Sequence, residues 1–215
     1  MNFKVGILCL TFILGGNQMY ANDLNELTPR DGLNRLIEGN RRFMAGGSTC
    51  DLSNKARRLQ TLDGQEPFAV ILSCSDSRTP PEILFDQGLG DLFIVRDAGN
   101  VLGAIELESI LFSIVNLHSK VLLVMGHQSC GAVTAVMNGE DHDIPAIAQK
   151  IRPAIIEAKK ANGTLREAIV DNVYHSVDQL KANPILKKLV KEGKLIIRGA
   201  YYNFTTGEVE MLSPV

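Results

Sequence analysis

The segment Phe68-Ala69-Val70-Ile71-Leu72-Ser73 is an unbroken run of mostly apolar residues. Three later runs have the same character, at residues 92–95, 121–125 and 195–198. Continuous Val/Ile/Leu runs are typical of parallel strands that are covered on both faces. Helices, which parallel strands need as crossovers, are predicted at residues 81–85, 102–117, 130–137, 144–160 and 165–182. The sequence therefore predicts an α/β fold in which helices flank a central, mainly parallel sheet, with residues 208–212 as an edge strand.

An N-terminal helix is predicted to begin at Thr28, where Thr28-Pro29-Arg30-Asp31 combines a capping threonine, a first-turn proline and an acidic residue. Apolar residues from Leu33 to Met44 form one stripe, and Gly46-Gly47 ends the helix. A second, polar helix is predicted at residues 52–62. We expect the stripe to be buried in a core, and these N-terminal helices to pack on a partner subunit.

The first residues have the order of a secretory signal peptide: Lys4, a short apolar stretch at residues 5–16, and Ala21 as the cleavage position. The apolar stretch has about 12 residues, whereas a bilayer needs roughly 20. We therefore predict a signal peptide over residues 1–21 and one domain over residues 22–215. The protein would be exported to a bacterial periplasm or secreted, without a stable membrane anchor after processing. A buried N-terminal helix is the alternative.

The composition is that of one globular domain, with 215 residues of which 45% are hydrophobic and 21% charged. The formal net charge is only −2, and the Lys and Arg residues are scattered. Nucleic acid is not a predicted partner, because phosphate binding needs a concentrated basic face. A nucleotide is not predicted either, since Gly88-Leu89-Gly90 lacks the last glycine of a dinucleotide loop and precedes a strand.

Metal-ligating side chains follow two of the predicted strands. Cys74-Ser75-Asp76-Ser77-Arg78 comes directly after the first apolar run, and His127-Gln128-Ser129-Cys130 follows the run at residues 121–125. Ligands bind at the carboxyl ends of parallel strands, so these side chains are expected in one crevice. Two thiols and one imidazole form a zinc ligand set, and a fourth position left to an exchangeable group is typical of a catalytic site. A disulfide between Cys74 and Cys130 is the alternative in an oxidising compartment.

The other cysteines have different expected fates and roles. Cleavage of the signal peptide would remove Cys9, and no role is predicted for Cys50. If a helix begins at Ser129, Cys130 lies in its first turn, where exposed N–H groups favour the thiolate.

Asp76 and Arg78 stand at alternate positions, so that their side chains could form a bidentate pair. Two arrangements are open. Asp76 binds zinc directly and closes the site, or it turns to Arg78 and leaves water on the metal. In the second arrangement, the carboxylate would orient zinc-bound hydroxide for attack. A purely structural salt bridge is the alternative without a catalytic role.

These motifs occur together with Phe-Asp-Gln-Gly-Leu-Gly-Asp-Leu-Phe and Arg-x-Ala-Gly-Asn between them, and the chain thereby resembles the β-class carbonic anhydrases. The similarity is dense from about residue 64 to 136 and thinner elsewhere. The resemblance implies that Cys74, His127 and Cys130 hold zinc, with Asp76 as the partner of Arg78 or as the fourth ligand. It also implies the reversible hydration of carbon dioxide to bicarbonate and a proton.

The resemblance further implies a substrate pocket that two subunits share. Gln65 corresponds to the amide that binds carbon dioxide or bicarbonate from the neighbouring subunit, which implies a homodimer or a higher even-numbered homo-oligomer. Phe93 corresponds to an apolar pocket residue. Phe112 falls where many relatives have a pocket aromatic in a Ser-Ile-Glu-Tyr segment, and Leu111 departs from the usual glutamate.

Two other functions are compatible with the same ligands. Carbon disulfide or carbonyl sulfide hydrolysis occurs on the scaffold of this family, where access to the pocket decides the substrate. A non-enzymatic zinc or thiol redox sensor would use Cys74 and Cys130 but would have no need of Asp76, Arg78 and Gln65 together.

Overall fold

The computed structural model describes residues 27–48 and 53–213. The predicted signal peptide, Cys50 and the start of the second predicted helix lie outside these ranges. In chain order the elements are α1 (Pro29–Met44), α2 (Lys55–Gln60), β1 (Ala69–Cys74), α3 (Pro81–Leu84), β2 (Leu92–Asp97), α4 (Ala104–Asn116), β3 (Val121–His127), α5 (Gly131–Asn138), α6 (Pro145–Lys160), α7 (Leu165–Ala182), α8 (Pro184–Lys191), β4 (Ile196–Tyr202) and β5 (Val209–Met211).

The strands form one sheet in the order β2-β1-β3-β4-β5. The first four are parallel and β5 is antiparallel, as an edge strand. The chain leaves β1 for β2 on one side and then returns to β3 on the other, so the crossover order reverses at β1. The carboxyl ends of β1 and β3 therefore flank the crevice where open α/β sheets bind ligands. The predicted α/β fold is confirmed.

Apolar layers cover both faces of the sheet. Residues from α4, α5, α6, α7 and α8 form the core on one face, and residues from α1 and α3 form the core on the other. Every residue of β1 and of β3 is buried. Burial on both faces explains why these strands have continuous apolar runs instead of an alternating pattern.

Helix α1 begins as its sequence predicts. The Thr28 hydroxyl accepts a hydrogen bond from the N–H of Asp31, and the Asp31 carboxylate accepts one from the N–H of Thr28, which completes a capping box. The buried Asn40 side chain donates to the carbonyls of Leu84 and Gly207. These bonds fix α1 to α3 and to the turn before β5 of the same chain, and packing on a partner subunit stays a prediction.

Some boundaries differ from the sequence prediction. Helix α8 was not predicted, although Asn183 caps it by accepting from the N–H groups of Ile185 and Leu186, and Pro184 is its first residue. Helix α2 is shorter than predicted and ends at Gln60. Among the described residues, no helix is both long and apolar enough to cross a membrane.

Candidate metal centre

Three side chains at the carboxyl edge of the sheet form a compact, buried group. Cys74 and His127 are the last residues of β1 and β3, whereas the sequence analysis put them just beyond the strand ends. Cys130 is the N-cap of α5. Their ligand atoms all lie within 4.8 Å of one another. The tertiary structure thus brings together the three predicted zinc ligands.

The two thiols are close but are not joined. Cys74 and Cys130 are both free cysteines, and their sulfur atoms are 4.0 Å apart. Two thiolates that bind one zinc at about 2.3 Å each can be at most about 4.6 Å apart, so this separation fits a shared metal ion.

The imidazole of His127 is oriented as a metal ligand. Its Nδ1 lies 2.9 Å from the carbonyl oxygen of Gln128, which can only accept, so Nδ1 carries the proton. Nε2 then carries no proton and has a free lone pair. It is buried and has no hydrogen-bond partner among the described residues. A buried nitrogen lone pair beside two sulfurs is a donor set that fits zinc.

The two thiols divide their proton unequally. The pKa of Cys74 is lowered mainly because the Cys130 thiol donates to it, with help from the backbone N–H groups of Gly99 and Asp76. The pKa of Cys130 is raised, first by that same hydrogen bond and then by burial. The N–H groups of Ala132 and Val133 act to lower the pKa of Cys130 but are outweighed. The start of α5 therefore acts in the predicted direction, toward the thiolate at Cys130, but in the metal-free chain the hydrogen bond to Cys74 and burial oppose it more strongly.

Asp76 lies beside this group and is held by Arg78. Arg78 Nε is 2.9 Å from Asp76 Oδ1, Arg78 Nη2 is 2.7 Å from Oδ2, and the Arg78 backbone N–H also donates to Oδ1. These bonds hold the pKa of Asp76 well below its usual range. Asp76 Oδ2 is 4.0 Å from Nε2 of His127. The carboxylate is therefore ionised, turned to Arg78, and next to the ligand cluster without belonging to it.

Arg96 fixes the loop that carries Asp76. Its guanidinium donates to the carbonyl of Cys74 (3.0 and 2.8 Å) and to the carbonyl of Asp76 (2.6 Å). The hydroxyl of Thr79 donates to the same two carbonyls. The sequence analysis noted Arg96 only as part of Arg-x-Ala-Gly-Asn and gave it no role.

Phe204 is a site residue that the sequence analysis missed. The Arg78 guanidinium lies 4.1 Å from the centroid of the Phe204 ring, and the centroids of the His127 and Phe204 rings are 5.4 Å apart. The backbone N–H of Phe204 donates to the side-chain oxygen of Gln128. Phe204 follows the carboxyl end of β4, and this position was the signal that could have found it.

The predicted substrate residues lie away from the cluster within one subunit. Gln65 is exposed and precedes β1 at the strand end opposite Cys74, and the five residue steps of β1 span roughly 16 Å. Phe93 pairs in register with Val70, near the same far end of the sheet. Phe112 is exposed, with its ring centroid 6.3 Å from that of Phe93. Within the single chain these three residues therefore do not reach Cys74, and their roles remain predictions.

Fold and site together define an α/β protein with a buried Cys-His-Cys group that could hold a metal ion at the carboxyl edge of its parallel strands. The family model for carbonic anhydrase matches residues 69–209. The carbonic anhydrase of Mycolicibacterium smegmatis is 36% identical over 186 residues, which are 83% of this chain and 90% of that protein. Carbonic anhydrase 2 of Mycobacterium tuberculosis is 35% identical over 181 residues, 80% of this chain and 87% of that protein.

A solved structure agrees with these sequence matches. The Coccomyxa β-carbonic anhydrase in complex with acetazolamide has a TM-score of 0.66 and 26% identity, and the match covers 85% of this chain and 87% of that chain. This chain belongs to the β-class carbonic anhydrase family. The predicted family and enzyme class are confirmed.

Proposed function

We propose that this protein is a zinc-dependent enzyme that interconverts carbon dioxide and water with bicarbonate and a proton. The observation that carries the proposal is the buried Nε2 of His127, which has no hydrogen-bond partner in the described part of the chain and lies with two thiols beside a carboxylate that Arg78 holds. Membership of the carbonic anhydrase family supports the same chemistry.

Each site residue has a separate proposed role. Cys74, His127 and Cys130 would hold zinc, which supplies a Lewis acid able to bring the pKa of a water molecule near neutrality. Burial of all three ligands keeps competing water away from the ligand atoms and fixes the cluster.

Asp76 is the orienting group. Because both its oxygens are engaged by Arg78, the carboxylate has one fixed direction and stays ionised across the neutral range. A fixed carboxylate that accepts a hydrogen bond from the reacting water turns the lone pair of that water toward the substrate carbon. Phe204 stacks on Arg78 and supports this arrangement.

A second subunit would complete the substrate pocket. Gln65 lies at the far end of β1 from its own Cys74, so its amide is better placed to serve the cluster of a neighbouring subunit. The exposed apolar side chains of Ile105, Phe112 and Val115 lie along α4 at spacings that share one helical face. We therefore propose a homodimer or a higher even-numbered homo-oligomer, in which Gln65 from the partner binds carbon dioxide or bicarbonate, and Phe93 and Phe112 line the pocket.

Export of the protein is part of the proposal and rests on the sequence of residues 1–21. Mass spectrometry of protein purified from its native host would test it, since a mature chain that begins near Asn22 is expected. A full-length chain recovered from the cytoplasm would contradict it.

Zinc content and carbon dioxide hydration, measured together on three proteins, test the proposed function. The wild-type chain should contain about one zinc per subunit and be active. Cys74→Ser should lose both the metal and the activity, whereas Ser75→Ala, a matched change at the exposed neighbouring residue, should keep both. Active, zinc-replete Cys74→Ser protein would refute the ligand assignment. Sulfide release from carbonyl sulfide that exceeds carbon dioxide hydration would instead identify the sulfide-releasing hydrolase.

A further inference from the structure

The turn after β2 contributes a backbone hydrogen bond to Cys74, one of the proposed metal ligands. The N–H of Gly99 donates to the sulfur of Cys74 at 3.3 Å. Gly99 has φ +89°, and a Cβ there would lie 2.9 Å from Ile151 Cδ1 and 3.3 Å from Ala132 Cβ. Only glycine can therefore hold this donor against the sulfur while α5 and α6 close over the turn.

Two side chains of α7 hold this turn from behind. Asn172 Nδ2 donates to the carbonyl of Gly99 at 2.7 Å, and the hydroxyl of Ser176 donates to the carbonyl of Asn100 at 3.1 Å. Asn172 and Ser176 are four residues apart, so they lie on one face of the helix, and both are buried. The turn is thus fixed between α7 on one side and Cys74 on the other.

We propose that Asn172 is a positioning residue for the Cys74 thiolate, acting through Gly99; this inference rests on the proposed zinc function. The N–H and the carbonyl of Gly99 belong to different peptide units. Asn172 therefore acts by fixing the direction of the turn, which aims the Gly99 N–H at the sulfur, and not by polarising that N–H directly.

The hydrogen bond from Gly99 then determines how much electron density the Cys74 sulfur donates to a bound metal ion. An N–H donor withdraws electron density from the sulfur that accepts its hydrogen bond and stabilises the thiolate. Cys130 differs in this respect, because its nearby N–H groups come from the first turn of α5 and need no side chain to aim them. The N–H groups that face the two sulfurs therefore come from separate elements, and the Gly99 donor to Cys74 is held from α7.

Two substitutions at Asn172 and one control test the inference. Asn172→Leu has nearly the same shape without the donor, and Asn172→Ala leaves space in case the leucine does not fold. Val177→Ala is the matched control, because Val177 is buried on α7 just over one helical turn beyond Asn172 and its side chain has no polar atom that could hydrogen-bond to Gly99 or Asn100. Each protein would be stripped of metal and refilled with Co²⁺, whose thiolate charge-transfer bands report the electron density on sulfur.

Both Asn172 variants should shift the charge-transfer bands to longer wavelength and weaken Co²⁺ and Zn²⁺ binding by about tenfold or more in chelator competition. Val177→Ala should lower the melting temperature and leave bands and affinity unchanged. Asn172 variants that match Val177→Ala in bands and affinity would overturn the inference and leave the zinc assignment intact. Absence of thiolate bands in the wild-type protein would overturn the zinc assignment itself, and this inference with it.

Discussion

Arg78 engages both carboxylate oxygens of Asp76, with Nε 2.9 Å from Oδ1 and Nη2 2.7 Å from Oδ2. The sequence left two roles open for Asp76, as a fourth metal ligand or as the partner of Arg78. The paired geometry favours the second role, because a carboxylate that moved to the metal would have to leave two charge-assisted hydrogen bonds.

We expect Asp76→Asn to lower the rate of carbon dioxide hydration by about 100-fold while zinc content stays at the wild-type level. An amide is neutral and has only one acceptor oxygen, so it cannot accept from Arg78 through both oxygens and orient the water as the carboxylate does. Stopped-flow hydration and metal analysis measure the two quantities. The Asp76→Asn, Arg78→Ala double variant should be little slower than the slower single variant, since the two residues act as one unit. Fully additive losses would show that they act independently.

A second prediction concerns the source of Gln65. Gln65→Ala and Cys74→Ser should each be nearly inactive alone. If Gln65 serves the site of a neighbouring subunit, a mixed dimer of the two variants contains one site in which every residue is wild type. Denaturing and refolding the two variants together, with zinc present, should therefore restore roughly a quarter of the wild-type activity for random pairing in dimers.

The complementation has its own control, in which each variant is refolded alone at the same total concentration. Activity in the mixture that does not exceed the sum of the two would mean that Gln65 acts within its own subunit or not at all.

Arg96→Lys should loosen the loop that carries Asp76. Lysine keeps the charge but cannot donate in a fork to the carbonyls of Cys74 and Asp76, so we expect the free energy of unfolding to fall by about 1.5 kcal/mol. Turnover should fall as well, with zinc retained. Urea denaturation and stopped-flow assays measure these effects. Arg41→Lys, in an exposed pair with Glu38, is the control and should change stability by less than about 0.5 kcal/mol.

The buried carboxyl of Asp97 predicts a pH dependence of stability in the metal-free protein. Burial raises the pKa of Asp97 to about 7, from an ordinary value of 3.8. Between these values the folded chain binds the proton more tightly than the unfolded chain, so the free energy of unfolding falls as pH rises, by at most about 1.4 kcal/mol per pH unit.

Asp97→Asn should remove this slope, because the amide is neutral throughout and its oxygen can still accept from the N–H of Val101. Denaturation of chelator-treated protein at several pH values between 4 and 8 would measure this effect. The free energy of unfolding of the variant, relative to that of the wild type, should rise with pH up to about pH 7 and stay constant above it. Parallel curves over the whole range would mean that Asp97 is already ionised in the folded protein near pH 4.

Local signals explain where the sequence analysis succeeded. The strand cores, the capping box at Thr28 and the helix α7 depend on residues close in sequence, and the structure has them nearly where they were predicted. Helix α8 was missed because it is short, rich in lysine and buries only Leu186. Phe204 and Asn172 were missed because their contacts with the site cross more than 70 residues of chain.

The sequence by itself determined the ligand types, their order along the chain and the edge of the sheet at which they meet, because the periodicity of apolar runs and the residues that follow them are local properties. Only the tertiary structure decided that Nε2 of His127 is the bare nitrogen, that the hydrogen bond between the thiols lowers the pKa of Cys74 and raises that of Cys130, and that Asp76 faces Arg78. These choices depend on hydrogen bonds that the folded chain brings into place. Such contacts are set by how Gln128, Gly99 and Phe204 pack around the site, which no sequence pattern specifies.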